Sequence, residues 1–234
     1  MKPIHRYYSI VITISALIVF AIWTISSCIL TKHPEWINNQ NYLYYGFAAI
    51  LTYLLSYGTF KTVSNVISYL FNKCEYLKKW ILSSYYVEGT WVGFYIGIAG
   101  KLRYMIETYE QTFDSIVIKG MSFDENKNLH TFWTSVSVNL DIEKGEISYQ
   151  YKVKSTKENT DPYGVSYFNF IRDINQAPPV EIIGYSEDAH FSKKCKAAEK
   201  KYSTRTKYDM NEALLEAENY YQSKKNIFPQ INQL

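Results

Sequence analysis

The sequence has few of the residues that usually cross-link a small fold, bind metals or take part in catalysis. Its three cysteines, Cys28, Cys74 and Cys195, are odd in number and widely separated, which argues against a disulfide framework. No cysteine or histidine pair has the spacing of metal ligands, and there is no phosphate-binding glycine loop, zinc-protease motif or nucleophile elbow. We therefore expect a protein that is not an enzyme and that has no metal or cofactor.

The C-terminal part of the chain has no net positive charge, because its acidic residues outnumber its Lys and Arg. Residues 1–82 hold seven Lys or Arg and two Glu, a formal charge of +5, so the remainder carries −2 within a net charge of +3. A protein that binds a nucleic-acid polymer normally concentrates its cations on the folded domain. The observed distribution argues against a nucleic-acid polymer as partner.

Two long uncharged segments lie in these first 82 residues. Residues 8–30 (YSIVITISALIVFAIWTISSCIL) are long enough to cross a hydrocarbon core of ~30 Å as a helix. Residues 43–60 (LYYGFAAILTYLLSYGTF) form a second apolar run, which we expect to stay helical to about residue 67. The sequence thus predicts a hairpin of two transmembrane helices, at about 8–30 and 43–67, followed by a basic linker.

The flanking cations predict the orientation of this hairpin. Six of them precede the first helix or follow the second: Lys2, Arg6, Lys61, Lys73, Lys78 and Lys79. Both termini are then cytoplasmic in a multi-pass protein. Residues 25–28 (ISSC) also resemble a lipoprotein cleavage box, but the length of the apolar run and the second segment favour a membrane anchor.

The region from residue 83 to residue 190 alternates apolar and polar residues and is rich in tyrosine. Seven strands are predicted, at 87–98, 101–111, 113–123, 129–140, 146–155, 163–172 and 180–186. Short turns between them favour an antiparallel sandwich or barrel, and we expect a lipocalin-like barrel of about eight strands because closure removes exposed edges. Residues 191–234 are predicted to be a tail with a helix at 210–224, N-capped by Asp209.

Strand alternation indicates which side chains share a face. In the strand at 146–155, one face holds Ile147, Tyr149, Tyr151 and Val153. In the strand at 129–140, Trp133 is expected opposite Val136, Val138 and Leu140. The strand at 101–111 has a polar face, which is either solvated outside the barrel or lines a polar pocket. That face consists of Lys101, Arg103, Met105, Glu107, Tyr109 and Gln111.

The first strand contains a candidate barrel plug. Gly89 lies two residues before Trp91, and a glycine there lets a large indole close one end of a small barrel without a backbone collision. The other end could then bind a small ligand in its mouth. Tyrosines with Arg or Lys suit a nucleotide, because rings stack on bases while cations hold phosphates. The candidate ligand-binding residues are Arg103, Gln111, Tyr149, Tyr151, Tyr167, Asn169 and Arg172.

The layout and several short motifs resemble a known family. The motifs are residues 88–95 (EGTWVGFY), 110–113 (EQTF), 135–137 (SVS) and 149–151 (YQY). Together with the two-helix hairpin and basic linker, they resemble the two-transmembrane β-barrel effectors of bacterial CBASS anti-phage defence. These are STING-like receptors for cyclic nucleotides made by CD-NTase enzymes.

The resemblance implies a function. A cyclic di- or oligonucleotide from a cognate CD-NTase would bind the barrel, and the protein would oligomerise and disrupt the bacterial inner membrane, causing abortive infection. Two other functions remain open from the residues alone. One is a membrane-anchored lipocalin-like barrel that carries an apolar ligand, and the other is a non-catalytic scaffold that binds protein.

Overall fold

A computed structural model describes residues 3–32, 42–97, 100–155, 162–174, 177–189 and 193–226. The chain divides into two compact units, Met1–Leu82 and Ser83–Leu234. The first unit is helical and the second contains all the strands. The predicted loop between the first two helices, residues 33–41, lies outside the described residues.

Helix α1 (Pro3–Lys32) contains the most apolar stretch of the described chain. Its segment Pro3–Cys28 has 26 residues, and the most apolar 18-residue window has a mean hydropathy of 2.3 with only 11% of that window buried. Among the described residues, it is the one helix both long and apolar enough to cross a membrane. Its exposed side chains include Leu17, Phe20 and Trp23, which fits a hydrocarbon surrounding.

Helices α2 (Tyr42–Lys73) and α3 (Glu75–Leu82) complete the first unit. The segment predicted as a second span is helical, and it packs on α1 through polar groups as well as apolar ones. The Tyr7 hydroxyl lies 2.7 Å from Ser64 Oγ and 2.9 Å from Ser68 Oγ, beside the buried Val11. That α2 crosses a membrane stays a prediction.

The second unit is a closed barrel of eight antiparallel strands, each paired with its neighbours in sequence and β8 with β1. This confirms the predicted barrel. The up-and-down order follows from the short turns, which allow only antiparallel neighbours. The strands are β1 (Gly89–Ile96), β2 (Leu102–Gln111), β3 (Ile116–Phe123), β4 (Leu129–Asp141), β5 (Glu146–Ser155), β6 (Tyr163–Ile171), β7 (Glu181–Asp188) and β8 (Lys194–Ser203).

Strand β8 extends the barrel beyond residue 190, where we had expected the tail to begin. Its sequence does not alternate apolar and polar residues as a typical strand does. Small and charged residues alternate instead: Cys195, Ala197 and Glu199 on one face, and lysines with Ala198 on the other. The pairing of Tyr95 with Ala197 and of Gly93 with Glu199 closes the barrel. The tail is therefore shorter than predicted.

Helix α4 (Met210–Lys224) covers the outer face of β1 and β2, and its presence confirms the predicted C-terminal helix. The Asp209 side chain caps it by accepting hydrogen bonds from the backbone N–H groups of Asn211 and Glu212. The helix buries Leu214 and Tyr220 with apolar residues that point outward from the barrel. Those strand residues are Val92, Phe94, Tyr104 and Ile106.

Candidate functional site

One end of the barrel is closed by aromatic side chains. Trp91 is completely buried, its Nε1–H donates to the Val87 carbonyl over 2.9 Å, and its ring centroid lies 5.3 Å from that of Tyr109. Gly89 has a φ of +135°, and a Cβ there would overlap the backbone carbonyl of Ser203. The structure thus places both predicted plug residues where the chain enters the barrel.

Gln111 also lies at this closed end. Its side-chain oxygen accepts from the Val87 N–H over 2.9 Å, and its Nε2 donates to the Tyr85 carbonyl over 2.7 Å. The side chain is buried and fixes the segment that leads into β1. Gln111 therefore has a structural role in holding the closed end, away from the mouth where we had placed it.

The opposite end of the barrel interior contains a cavity of about 330 Å³. It begins at the layer of Glu107, Trp133 and Tyr149 and runs towards the turn between β1 and β2. The volume lies at the lower limit for small-molecule sites. It can enclose one nucleobase with part of its sugar, but not a whole cyclic dinucleotide.

Four aromatic side chains line this cavity: Tyr95, Trp133, Tyr149 and Tyr151. Two of them lie across glycines of neighbouring strands, since Gly120 pairs with Trp133 and Gly164 pairs with Tyr151. A Cβ at either glycine would overlap the facing ring. The glycines therefore set the positions of these two rings, which contribute aromatic surface to the cavity wall.

Charged side chains are found at the mouth of the cavity. Lys101 and Arg103 bring two cations to it, while Asp188 and His130 line the opposite strands. The Arg103 guanidinium donates to the Leu102 carbonyl over 3.1 Å, and its charge also acts on Tyr95 and Asp124. This arrangement suits an anionic group that stays near the rim.

Glu107 lies at the floor of the cavity and is 1% exposed. Its Oε1 accepts two hydrogen bonds of 2.7 Å, one from Trp133 Nε1–H and one from the Tyr149 hydroxyl. The carboxyl of Glu199 on β8 is also fully buried and lies close enough to Glu107 for the two groups to affect each other's pKa. Two carboxyl groups thus share the centre of the barrel.

Burial governs the protonation of this acidic pair. Burial raises the pKa of Glu107, while hydrogen bonds from Tyr149 and Trp133 act in the opposite direction. Burial and repulsion from Glu107 raise the pKa of Glu199 well above the ordinary glutamate value. The pair therefore retains a proton at pH values where exposed glutamates are ionised.

The structure brings together three of the seven predicted ligand-binding residues. Arg103, Tyr149 and Tyr151 line the cavity. Tyr167 and Asn169 point outward from β6, where the Tyr167 ring packs 5.4 Å from that of Tyr185.

Arg172, the last of the seven, lies beyond the closed end of β6. Its guanidinium donates to the Ile142 carbonyl over 3.2 Å and contacts the Phe170 ring. These contacts fasten the turn after β4, so Arg172 does not line the cavity.

The predicted ligand-binding set left out several residues of the site. Lys101 and Glu107 were placed only on the polar face of the strand at 101–111, and Tyr95, Trp133 and Glu199 were not considered for the site. Glu107 alternates with Arg103 and Met105, so an inward face for β2 would have included it. For Trp133 the available signal was the pairing of a glycine with a large aromatic on the next strand. Glu199 carried no signal, because its segment was not predicted as a strand.

Comparison of the chain with protein-family models, curated proteins and solved structures finds no match. Within the part of the chain that the structure describes, no group of three or more His, Cys, Asp or Glu side chains could hold a metal ion. The site combines aromatic walls, cations at the rim and a buried carboxyl at the floor.

Proposed function

We propose that the barrel is a receptor for a cyclic di- or oligonucleotide made by a partner CD-NTase, and that the N-terminal helices form a two-span anchor in a bacterial inner membrane. Ligand binding favours an assembling conformation, the protein forms homo-oligomers, and the assembled helices disrupt the membrane as an abortive response to phage. The switch requires only that the ligand binds the assembling conformation more tightly than the resting one.

The observation that carries this proposal is the pairing of aromatic walls with cations in one cavity. Tyr95, Trp133 and Tyr151 offer ring faces to a base, and Lys101 and Arg103 lie where phosphates of a bound nucleotide would remain. The cavity encloses one base only. A cyclic ligand would therefore keep its ring of phosphates and its second base at the rim, accessible to another copy of the chain.

The same cavity argues against the apolar-carrier function. A fatty acid or lipid tail needs an apolar lumen, whereas this floor contains the buried carboxyl of Glu107 and the mouth contains Arg103 and Asp188. A hydrocarbon tail would offer no hydrogen-bond donor to the buried Glu107 carboxyl, whereas the charged groups at the mouth would stay in contact with water. A scaffold that only binds other proteins does not require a cavity inside the barrel.

Ligand-induced stabilisation tests the receptor function. We expect one member of a panel of cyclic di- and trinucleotides to raise the melting temperature of the full chain in detergent, with about 2.7 kcal/mol of stabilisation at a ligand concentration of 100 Kd. Palmitate serves as the control for the carrier function. A panel that leaves the melting temperature unchanged while palmitate raises it would replace the receptor with the carrier.

Membrane disruption needs a separate test in cells. Expression of the chain together with an active CD-NTase should make cells permeable to propidium iodide, and Arg103→Ala should protect them. A reporter fused to the C-terminus should be active in the cytoplasm, since two spans return the chain to that side. Activity only in the periplasm would contradict the two-span topology.

A further inference from the structure

The outer wall of the barrel has two tyrosines side by side on neighbouring strands. Tyr167 on β6 pairs in register with Tyr185 on β7, and the centroids of the two rings lie 5.4 Å apart. Tyr167 is 47% exposed, so a broad aromatic surface faces solvent here. A side chain this exposed adds little to the stability of the barrel, but its ring can stack on a planar ligand.

Two lysines accompany this tyrosine pair. Lys194 and Lys196 flank Cys195, which lines the cavity, so both lysines point outward. Lys194 Nζ lies 4.2 Å from the centroid of the Tyr185 ring, and Lys196 pairs with Tyr185 in register. Glu187, which pairs with Lys194, is the acid on this surface. The tyrosine–lysine patch consists of Tyr167, Tyr185, Lys194 and Lys196.

The tyrosine–lysine patch has the chemistry that half of a cyclic dinucleotide requires, since rings stack on a base and lysines bind phosphates. It lies on the other side of the barrel wall from the cavity. Tyr167 follows Ser166, which lines the cavity, and Ser166 pairs in register with Tyr149 at the cavity floor. A ligand at the mouth of the same copy therefore cannot reach Tyr167.

We propose that the tyrosine–lysine patch binds the exposed half of a cyclic nucleotide whose other half lies in the cavity of a second copy of the chain. This inference rests on the receptor function proposed above, in which the cavity of about 330 Å³ encloses one base only. The contact joins the end of one barrel to the wall of the next. Because these are two different surfaces, each copy can make both contacts, and assembly continues beyond a dimer.

Charge makes this contact depend on the ligand. At the mouth, Lys101 and Arg103 outnumber Asp188, and on the patch the two lysines outnumber Glu187. Without ligand, two positively charged surfaces would face each other, which disfavours association. The phosphates of a bound cyclic nucleotide place negative charge between these cations and replace the repulsion with charge-assisted contacts. The ligand therefore supplies both the second base and the charge that the contact needs.

Sedimentation of the full chain in detergent tests this inference. The cyclic probes are cyclic di-AMP, cyclic di-GMP, cyclic UMP–AMP and cyclic tri-AMP, and the controls are AMP, GMP and UMP, which have no second base. A cyclic probe that binds the wild-type chain should raise its sedimenting mass beyond that of a dimer. The mononucleotides should leave the mass unchanged.

Variants of Tyr167 separate assembly from binding in the cavity. Tyr167→Ala should weaken ligand-dependent assembly by about tenfold or more, because a stacking surface is lost. Its Kd for the cyclic probe should be that of the wild-type chain when both are measured at concentrations too low for assembly. Tyr167→Phe keeps the ring and should assemble normally. Leu215→Ala is the matched control, since Leu215 is 53% exposed on α4.

A mixture of two variants gives the sharpest result. Arg103→Glu should lose binding at the mouth and keep the patch, whereas Tyr167→Ala keeps the mouth and loses the patch. Neither variant should assemble alone. An equal mixture with the cyclic probe should form a heterodimer and stop there, because one mouth and one patch remain intact between the two chains.

The other outcomes overturn the inference in distinguishable ways. Normal assembly of Tyr167→Ala, assembly driven by a mononucleotide, or a mixture that stays unassembled would remove the patch and leave the receptor function standing. Loss of cavity binding in Tyr167→Ala would show that Tyr167 acts through the fold of the barrel, which also removes the patch. If no cyclic probe binds the wild-type chain, the receptor function fails and this inference fails with it.

Discussion

The two halves of the barrel interior are built from the same eight strands but have opposite contents. Along β2, Tyr109 is packed at the closed end, and the next inward residues, Glu107, Met105 and Arg103, become steadily more exposed to the cavity. The closed half is filled by buried apolar side chains, which stabilises the fold by removing apolar surface from water. These include Trp91, Ile118, Ile147, Phe168 and Ile182.

The open half of the barrel interior lacks this stabilisation by apolar packing. It keeps a cavity, buried carboxyls and a charged rim, each of which lowers the free energy of unfolding relative to a packed apolar core. Under the proposed receptor function, stability and recognition are separated along the barrel axis. Substitutions at the closed end should therefore alter stability first, and substitutions at the open end should alter ligand binding first.

The largest expected effect is at the closed end. Trp91→Ala removes a completely buried indole and should lower the free energy of unfolding by about 3–5 kcal/mol, measured by chemical denaturation of the full chain in detergent. Tyr163→Ala is the control, since that side chain is 53% exposed and its loss should cost less than about 0.5 kcal/mol. Equal losses in the two variants would show that Trp91 does not support the barrel.

A smaller effect is expected where the two halves meet. Gly120→Ala places a methyl group against the Trp133 ring and should displace the indole from Glu107, lowering the free energy of unfolding by about 1–3 kcal/mol. Ligand binding should be lost as well, because the ring forms one wall of the cavity. Gly58→Ala is the control, since a Cβ there meets nothing within 4 Å. A Gly120→Ala chain that binds its ligand normally would remove Trp133 from the site.

The smallest effect concerns the dependence of stability on pH. The raised pKa of Glu199 means that the folded state keeps a proton that the unfolded chain releases above the ordinary glutamate pKa. Stability is therefore greatest below that value and falls as the pH rises towards the folded pKa.

Glu199→Gln should remove the part of this pH dependence that Glu199 contributes. Relative to the wild-type chain, the variant should gain on the order of 1 kcal/mol of stability at pH 8 and less at pH 5, as measured by denaturation at each pH. Parallel pH profiles for the two chains would show that the acidic pair holds no proton in this range.

Much of the barrel could be predicted from the sequence because its strands alternate regularly. The expected face of β5, with Ile147, Tyr149 and Tyr151, is the inward one in the structure. In β4 the alternation misled, because a bulge between Ser135 and Ser137 lets Trp133 and Val138 both face inward. A single extra residue of this kind leaves no mark on the pattern of apolar residues.

The site was less predictable than the fold because it depends on which residues meet across strands. Tyr149 and Tyr151 were found by their alternation on one strand, and Arg103 by its charge. Glu107 and Glu199 meet only because β8 closes the barrel next to β1, and the sequence of β8 does not resemble a strand. Arg172 and Tyr167 fit the expected chemistry equally well, yet the strand register directs them away from the cavity.

The two arginines of the predicted site provide the most direct test of the central claim, that the open end binds the ligand. The cyclic nucleotide that stabilises the full chain should be titrated calorimetrically into Arg103→Ala and Arg172→Ala in detergent. We predict that Arg103→Ala weakens binding by about tenfold or more, since a charge-assisted contact is lost, and that Arg172→Ala leaves the Kd unchanged. Unchanged binding in Arg103→Ala, or an equal loss in both variants, would contradict the account.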